Sequence, residues 1–192
     1  MTETPNPYIV DADTMTGEMR PIRRVVISLG SNLGDREQNL QGGLSALVDT
    51  PGVSIFDVSP VYESAPLGGP DEAGDFLNLV VSSDTTLTPH TLLDRCLAIE
   101  DAFGRERVER YAPRTLDLDV IVVGDQKIED DDLVLPHPRA HERLFVLQPW
   151  LDVDSEAYLP GQGWVVDLIA DLTAGNDAPQ VTRRDDLDLT VD

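Results

Sequence analysis

What most constrains this chain is the order in which strand-like and helix-like patterns follow one another. Arg24 to Leu29 (RVVISL) is a continuous apolar run of strand length, closed by the GSNLG stretch of Gly30 to Gly34. Asp35 then reads as a helix N-cap with Gln38 at the third helical position. Leu40, Leu44, Leu47 and Val48 supply an apolar face, so a helix is predicted over 36–48. Inside it, the Gly42-Gly43 pair either weakens the helix or permits close packing. Val53 to Tyr62 is rich in β-branched and aromatic residues, with Pro60 marking an edge or a bend. A loop from Ala65 to Gly74 leads to a further strand, Phe76 to Ser82. Thr88-Pro89 opens a second helix whose Leu92, Cys96, Ile99 and Phe103 share one face. Leu116 to Val123 (LDLDVIVV) is the next strand. This β-α-β-β-α-β order predicts an α+β fold: a ferredoxin-like antiparallel sheet with helices packed on it, in three αβα layers. A short hairpin over 128–135 and helices near 142–148 and 164–172 complete the ordered part.

Length and composition set the frame around that pattern. The chain has 192 residues, which favours one domain, expected over 23–173. Residues 1–22 are polar and aperiodic and are expected to form a disordered arm; residues 174–192 are expected to be an acidic, frayed tail. A single cysteine, Cys96, forbids an internal disulfide. No apolar run approaches membrane-spanning length, and the N-terminus lacks the basic start and apolar stretch of a signal peptide, so a cytoplasmic protein is expected. The absence of coiled-coil heptads favours a monomer. With 14 basic against 36 acidic residues the net charge is −22, which argues against nucleic acid or an anionic membrane as partner.

Chemistry therefore has to come from local departures from this acidic background. Asp117 and Asp119 alternate with Leu116, Leu118 and Val120, so both carboxylates leave the same face of their strand. Their Cα atoms should lie roughly 6.6 Å apart. Such a pair repels itself unless a cation lies between, and its hard oxygen donors suit Mg²⁺. Taken alone, Asp-x-Asp is also the pattern of a solvated strand face in an aspartate-rich protein. Arg105, Arg107, Arg110 and Arg114 stand immediately before it, however, and arginine suits phosphate through its planar, permanently charged fork. Together they point to a nucleotide polyphosphate site. There is neither a P-loop nor a dinucleotide fingerprint to compete with it. Pro136 to Arg143 forms a second basic patch, in which His137 is either a phosphate donor or a turn residue. His90 is expected to be exposed and Cys96 to be a small core residue.

The same residues resemble a family, the 6-hydroxymethyl-7,8-dihydropterin pyrophosphokinases of folate biosynthesis. The resemblance covers about residues 24–160. It rests on Ser28 to Gly34 (SLGSNLG), Tyr62 to Gly68 (YESAPLG), Phe76 to Asn78 (FLN), Pro113 to Asp119 (PRTLDLD) and Pro136-His137. It implies transfer of pyrophosphate from ATP to the pterin hydroxymethyl group, with release of AMP. It further implies that Asp117 and Asp119 hold two Mg²⁺ ions and that Arg107 and Arg114 act on the phosphates during transfer. By the same resemblance Arg105, Arg110, His137, Arg143 and Glu100 line the ATP side. Ser64, Ala65, Leu67, Phe76, Asn78, Tyr111 and Phe145 are implied to contact the pterin, Asn78 reading the ring edge and Phe145 stacking. A flat heteroaromatic ring does favour an aromatic slot with an amide at its edge.

Two positions depart from the family pattern. Tyr111 stands where many members have tryptophan, and Ala65 where many have proline. Two other readings compete. Another Asp-x-Asp metal enzyme, such as a nucleotidyltransferase, would share the carboxylate pair but leave the FLN and YESAPLG blocks unexplained. A nucleotide-binding module with a degraded site would have no reason to keep Asp117, Asp119, Arg107 and Arg114 together.

Overall fold

The computed structural model describes residues 10–12, 19–66, 74–104, 115–175 and 178–191. Its elements run β1 (Val10–Ala12), β2 (Met19–Pro21), β3 (Arg23–Ser31), α1 (Arg36–Val48), β4 (Val53–Val58), β5 (Tyr62–Ser64) and β6 (Phe76–Thr85). They continue through α2 (Pro89–Ala102), β7 (Asp117–Val123), β8 (Ile128–Glu129), β9 (Val134–Leu135) and a 3₁₀ turn (Ala140–Glu142). The last are α3 (Leu144–Val153), β10 (Tyr158–Leu159), β11 (Gly163–Trp164), α4 (Val165–Thr173) and β12 (Val181–Arg183).

β3 is the middle of the main sheet. It pairs antiparallel with β6 on one side and β7 on the other, in the order β12-β5-β6-β3-β7. Both of its faces are covered, which is why its sequence is apolar without alternation. Val25, Ile27 and Leu29 pack with Leu40, Leu44 and Leu47 of α1 and Leu92 and Cys96 of α2. Val26 packs on the other face with Val146, Leu147 and Trp150 of α3 and Val165 of α4. The expected α+β, three-layer ferredoxin-like arrangement is thus the one found.

The β-rich stretch over 53–62 is split into two strands at Ser59-Pro60, where Pro60 marked an edge or a bend. β4 pairs with the far half of β6, Val53 opposite Thr85, and β5 with its near half, Tyr62 opposite Asn78. Proline has no N–H for the ladder, and Ser59 fills the break. Its N–H donates to Val80 O at 2.9 Å, and its Oγ accepts from Val80 N at 2.9 Å. In β7 the register shifts at Ile121, so Ile121 and Val122 both face α3 while Val120 and Val123 face α1 and α2. Asp35 Oδ1 accepts from Gln38 N at 3.1 Å and Thr88 Oγ1 from Thr91 N at 3.2 Å, the two N-caps read from sequence.

Two expectations are corrected. The described pieces of the supposed N-terminal arm pair with each other, Val10 opposite Pro21. The segment expected to fray after residue 174 instead contributes a sheet strand, with Val181 opposite Ser64 and Arg183 opposite Tyr62. Leu187 and Leu189 then pack against the core beneath α1. Its acidic composition concealed this, because the two leucines and the edge they cover are far apart in sequence.

The structure also decides between the two readings of Gly42-Gly43. A Cβ on Gly43 would lie 2.8 Å from Leu116 Cδ2, and one on Gly42 2.6 Å from Phe103 Cζ. Close packing is their role. Gly43→Ala is therefore expected to lower stability by about 1–3 kcal/mol in thermal or urea unfolding, against the roughly 1 kcal/mol that helix propensity alone would return. Leu116 is fully buried and cannot swing away. Cys96 is likewise fully buried, and burial, helped by the Asp119 charge, pushes its thiol up to about 12. At pH 8 the native protein should resist iodoacetamide and react only once unfolded; native labelling at the rate of a free thiol would contradict this.

Candidate active site

In an antiparallel sheet, residues directly opposite one another point to the same face. Tyr62, Asn78, Gly30 and Asp117 form one such row across β5, β6, β3 and β7. The next row holds Val80, Ser28 and Asp119. Leu116, Leu118 and Val120 belong to the core under α1 and α2. Asp117 and Asp119 therefore emerge on the opposite face, at its end beyond the residues packed on α3. Gly30 keeps this face open: a Cβ there would sit 3.3 Å from Asn78 Oδ1 and 3.6 Å from Phe76 Cδ1.

Asn78 is buried, and its amide is held by its neighbours. Nδ2 donates to Ser64 Oγ at 3.0 Å, with longer contacts to Tyr62 O at 3.4 Å and Phe76 O at 3.5 Å. Ser64 is itself buried, and Phe76, directly opposite it, is half-buried. Ala65 is exposed beside them. Tyr62 continues the row toward α3, where its hydroxyl donates to Asp152 Oδ2 at 2.6 Å. Burial and this acceptor push the phenol up to about 12.

On the carboxylate side, Arg143 reaches over from the start of α3. Its Nη1 donates to Asp119 Oδ2 at 2.5 Å, and its guanidinium carbon lies 5.8 Å from the Phe145 ring centre. His137 stands beside the same oxygen, Nε2 to Oδ2 at 3.9 Å. Its backbone N–H donates to Ile121 O at 2.8 Å, fixing the Pro136-His137 segment along the open edge of β7. Its Nδ1 accepts from Arg139 N at 3.2 Å, which settles the imidazole's orientation. Burial holds the His137 pKa below its ordinary value; Asp119 opposes this and Arg143 reinforces it. His137 is accordingly neutral at pH 7, with Nε2 facing the carboxylate.

Most of the site residues expected from sequence that fall within the described residues converge here: Ser64, Phe76, Asn78, Asp117, Asp119, His137, Arg143 and Phe145. Glu100 does not. It is only 1% exposed, lies on the α2 side of the sheet, and accepts from Leu118 N at 2.8 Å through Oε1. A carboxylate so enclosed supports β7 from behind rather than meeting a nucleotide. Leu67, Arg105, Arg107, Arg110, Tyr111 and Arg114 lie outside the described residues.

Sequence reasoning missed Asn32, Arg36 and Arg184, which tie down the strands and loop around this site. The two arginines do so through Glu63, which stands opposite core residue Leu77 and so on the other face of β5 from Tyr62 and Ser64. Arg36 Nη1 donates to Glu63 Oε1 and to Asp75 O, both at 2.7 Å, and Asn32 Nδ2 donates to Gly74 O at 3.2 Å. No local pattern marks these contacts, because the partners Glu63, Asp75 and Gly74 lie more than twenty residues away. In the sequence Gly30 reads as closing the strand; the structure extends β3 to Ser31 and places Gly30 inside it.

Residues 26–155 match the family described as 7,8-dihydro-6-hydroxymethylpterin-pyrophosphokinase (HPPK). The chain is similar to the 2-amino-4-hydroxy-6-hydroxymethyldihydropteridine pyrophosphokinase of Methylorubrum extorquens, at 41% identity over 72% of this chain and 87% of that protein. The protein of the same name from Bacillus subtilis is 43% identical over 66% of this chain and 75% of its own length. The Pseudomonas aeruginosa protein is 40% identical over 78% and 91%. Among solved structures, Plasmodium falciparum HPPK-DHPS has the same fold, with a TM-score of 0.63 at 16% identity over 83% of this chain. This chain spans 47% of that longer one. On the family match and these relatives, the chain belongs to the 7,8-dihydro-6-hydroxymethylpterin-pyrophosphokinase family, whose reaction transfers pyrophosphate from ATP to hydroxymethyldihydropterin in folate biosynthesis.

Proposed function

We propose that this transfer takes place on the sheet face between Asn78 and Asp119, with the pterin at the Asn78 end and the ATP phosphates at the Asp117–Asp119 end. The observation that carries this reading is the shared row of Asn78, Gly30 and Asp117. Two strand spacings separate the amide from the carboxylate, about 10 Å, and the residue between them has no side chain. A flat bicyclic ring fits there with its hydroxymethyl arm directed at the carboxylates. Asn78, oriented by Ser64, offers the edge of the ring an amide. Phe76 and Phe145 supply aromatic surface, and Ala65, with Leu67 and Tyr111 assigned by resemblance, completes the pterin contacts.

Asp117 and Asp119 form a hard-oxygen pair on one strand face, each half-exposed, and this donor set fits Mg²⁺. Bound there, two such ions would neutralise charge on the phosphate oxygens. The chain's own residues do the rest. Arg143 pins one oxygen of Asp119 and keeps the carboxylate from rotating away. His137, neutral and held at the strand edge, is placed to donate from Nε2 to a phosphate oxygen. Arg105, Arg107, Arg110 and Arg114 carry the remaining phosphate contacts by resemblance. Attack by the pterin hydroxyl on the β-phosphorus needs charge stabilisation and alignment more than covalent help from protein. The protein is read as a cytoplasmic monomer; no described helix is long and apolar enough to cross a membrane.

Incubation with ATP, Mg²⁺ and 6-hydroxymethyl-7,8-dihydropterin should yield AMP and a pterin diphosphate one for one. ADP, or free pyrophosphate with a nucleotidylated product, would refute the reading. Asp117→Ala should lower turnover by at least about 100-fold while the protein still unfolds cooperatively at a melting temperature within a few degrees of the parent. A collapse of folding instead would make the residue structural. Because the molecule carries a net charge of −22, moderate salt should leave ATP affinity unchanged or improve it, by screening long-range repulsion. A steep loss of affinity in a salt titration would contradict this.

A further inference from the structure

The segment 178–191 lies beyond the residues that match the family, 26–155, yet it is built into the flank of the pterin end. β12 pairs along the whole of β5, and Arg184 N then donates to Val61 O at 2.8 Å. Arg184 Nη1 donates to Glu63 Oε2 at 3.0 Å, while Arg36 takes the other oxygen, Oε1, at 2.7 Å. One carboxylate on β5 is thereby shared between a guanidinium from α1 and one from the tail. Burial works against the charge of Glu63, but the two arginines prevail and hold its carboxyl below the ordinary value. Asp186 fixes the fork of Arg184 through Nε at 2.8 Å and Nη2 at 2.7 Å, leaving Nη1 aimed at Glu63. Further along, Gln41 exchanges two hydrogen bonds with the backbone of Thr190, at 2.9 and 3.0 Å.

Without this segment β5 would be a three-residue edge strand, held to β6 alone. Such a strand is marginal, and its register is weakly specified. Ser64 sits at its end, and Ser64 Oγ is the nearest acceptor of the Asn78 amide. We propose that segment 178–191 is a positioning element of the pterin pocket, acting through Arg184, Glu63 and Arg36 to fix Ser64 and, through it, the Asn78 amide. The inference rests on the assignment of Asn78 and Ser64 to the pterin. Arg184 touches neither substrate; it acts through β5, so its loss should be felt by one substrate and not by the other.

The test is steady-state kinetics of the full chain, with each substrate varied in turn, at a temperature well below every variant's measured melting point. Arg184→Ala should raise the pterin KM roughly five- to tenfold while the ATP KM and kcat stay within about twofold. Arg184→Lys should recover part of the loss, since an ammonium can still reach Glu63. Val53→Ala removes only packing, at the end of β6 far from the site; it should lower the melting temperature without moving the pterin KM. A pterin KM unmoved by Arg184→Ala but raised by Asn78→Ala would overturn the positioning role and leave the pocket assignment standing. A pterin KM unmoved by both would overturn the pocket assignment, and the inference with it. Equal changes in the pterin and ATP KM would also overturn it, by showing a general loosening of the fold.

Discussion

The pairing of β3 with β6 on one side and β7 on the other is the constraint on which the rest of this molecule depends. These two ladders set Asn78 and Asp117 in one row across Gly30, and Asp119 one step further along. Neither the amide nor the carboxylates could be placed by local structure alone. A slip of one residue in either ladder would turn Asn78 or the aspartates toward α1 and α2, into a core of leucine and valine. The hydrophobic pattern on both faces of β3 forbids that slip, so the packing energy of two cores is what fixes the polar geometry. The polar row is thus registered by the buried strand β3, to which the strands that carry the amide and the carboxylates are both paired.

Glycine and bulge then adjust what the ladders impose. Gly30 removes the one side chain that would stand between the amide and the carboxylate. The extra residue at Ile121 changes which residues of β7 face α3, so that apolar contact begins where the carboxylates stop. The backbone N–H of His137 finds Ile121 O along the same edge. Glu100, approaching from the other side, takes the Leu118 N–H that lies between the two aspartates. β7 is a terminal strand of the sheet, and these two contacts hold its outer edge where no further strand does.

Electrostatics follow the same economy. In this chain acidic residues outnumber basic ones 36 to 14, and the described arginines near the site are paired rather than free. Arg143 bonds Asp119, Arg36 bonds Glu63 and the Asp75 carbonyl, and Arg184 bonds Glu63 and Asp186. All but the Arg184–Asp186 pair join segments distant in sequence. Each orients a group rather than adding much stability, as expected of partly exposed ion pairs.

The elements that follow from local rules were legible in the sequence. The Asp35 and Thr88 caps, the apolar face of 36–48, the unbroken run of β3 and the alternation before Val120 each state their own structure. The carboxylate pair was legible for the same reason, because strand alternation is a property of neighbouring residues. Pro60 likewise marked the bend between β4 and β5. The length of α3 past Pro149 and the strand formed by Val181 to Arg183 were not legible. Nor was the placement of Glu100 behind β7, which resemblance had assigned to the nucleotide. Sequence by itself determined which segments are strands and helices, which faces are apolar, and which residue types are available for phosphate and pterin. Tertiary structure alone decided that Gly42-Gly43 is a packing surface, that the acidic tail closes the edge of β5, and that Asn78 and Asp117 face each other across Gly30. Those outcomes depend on hydrogen bonds and contacts between residues tens of positions apart, whose energies no local pattern records.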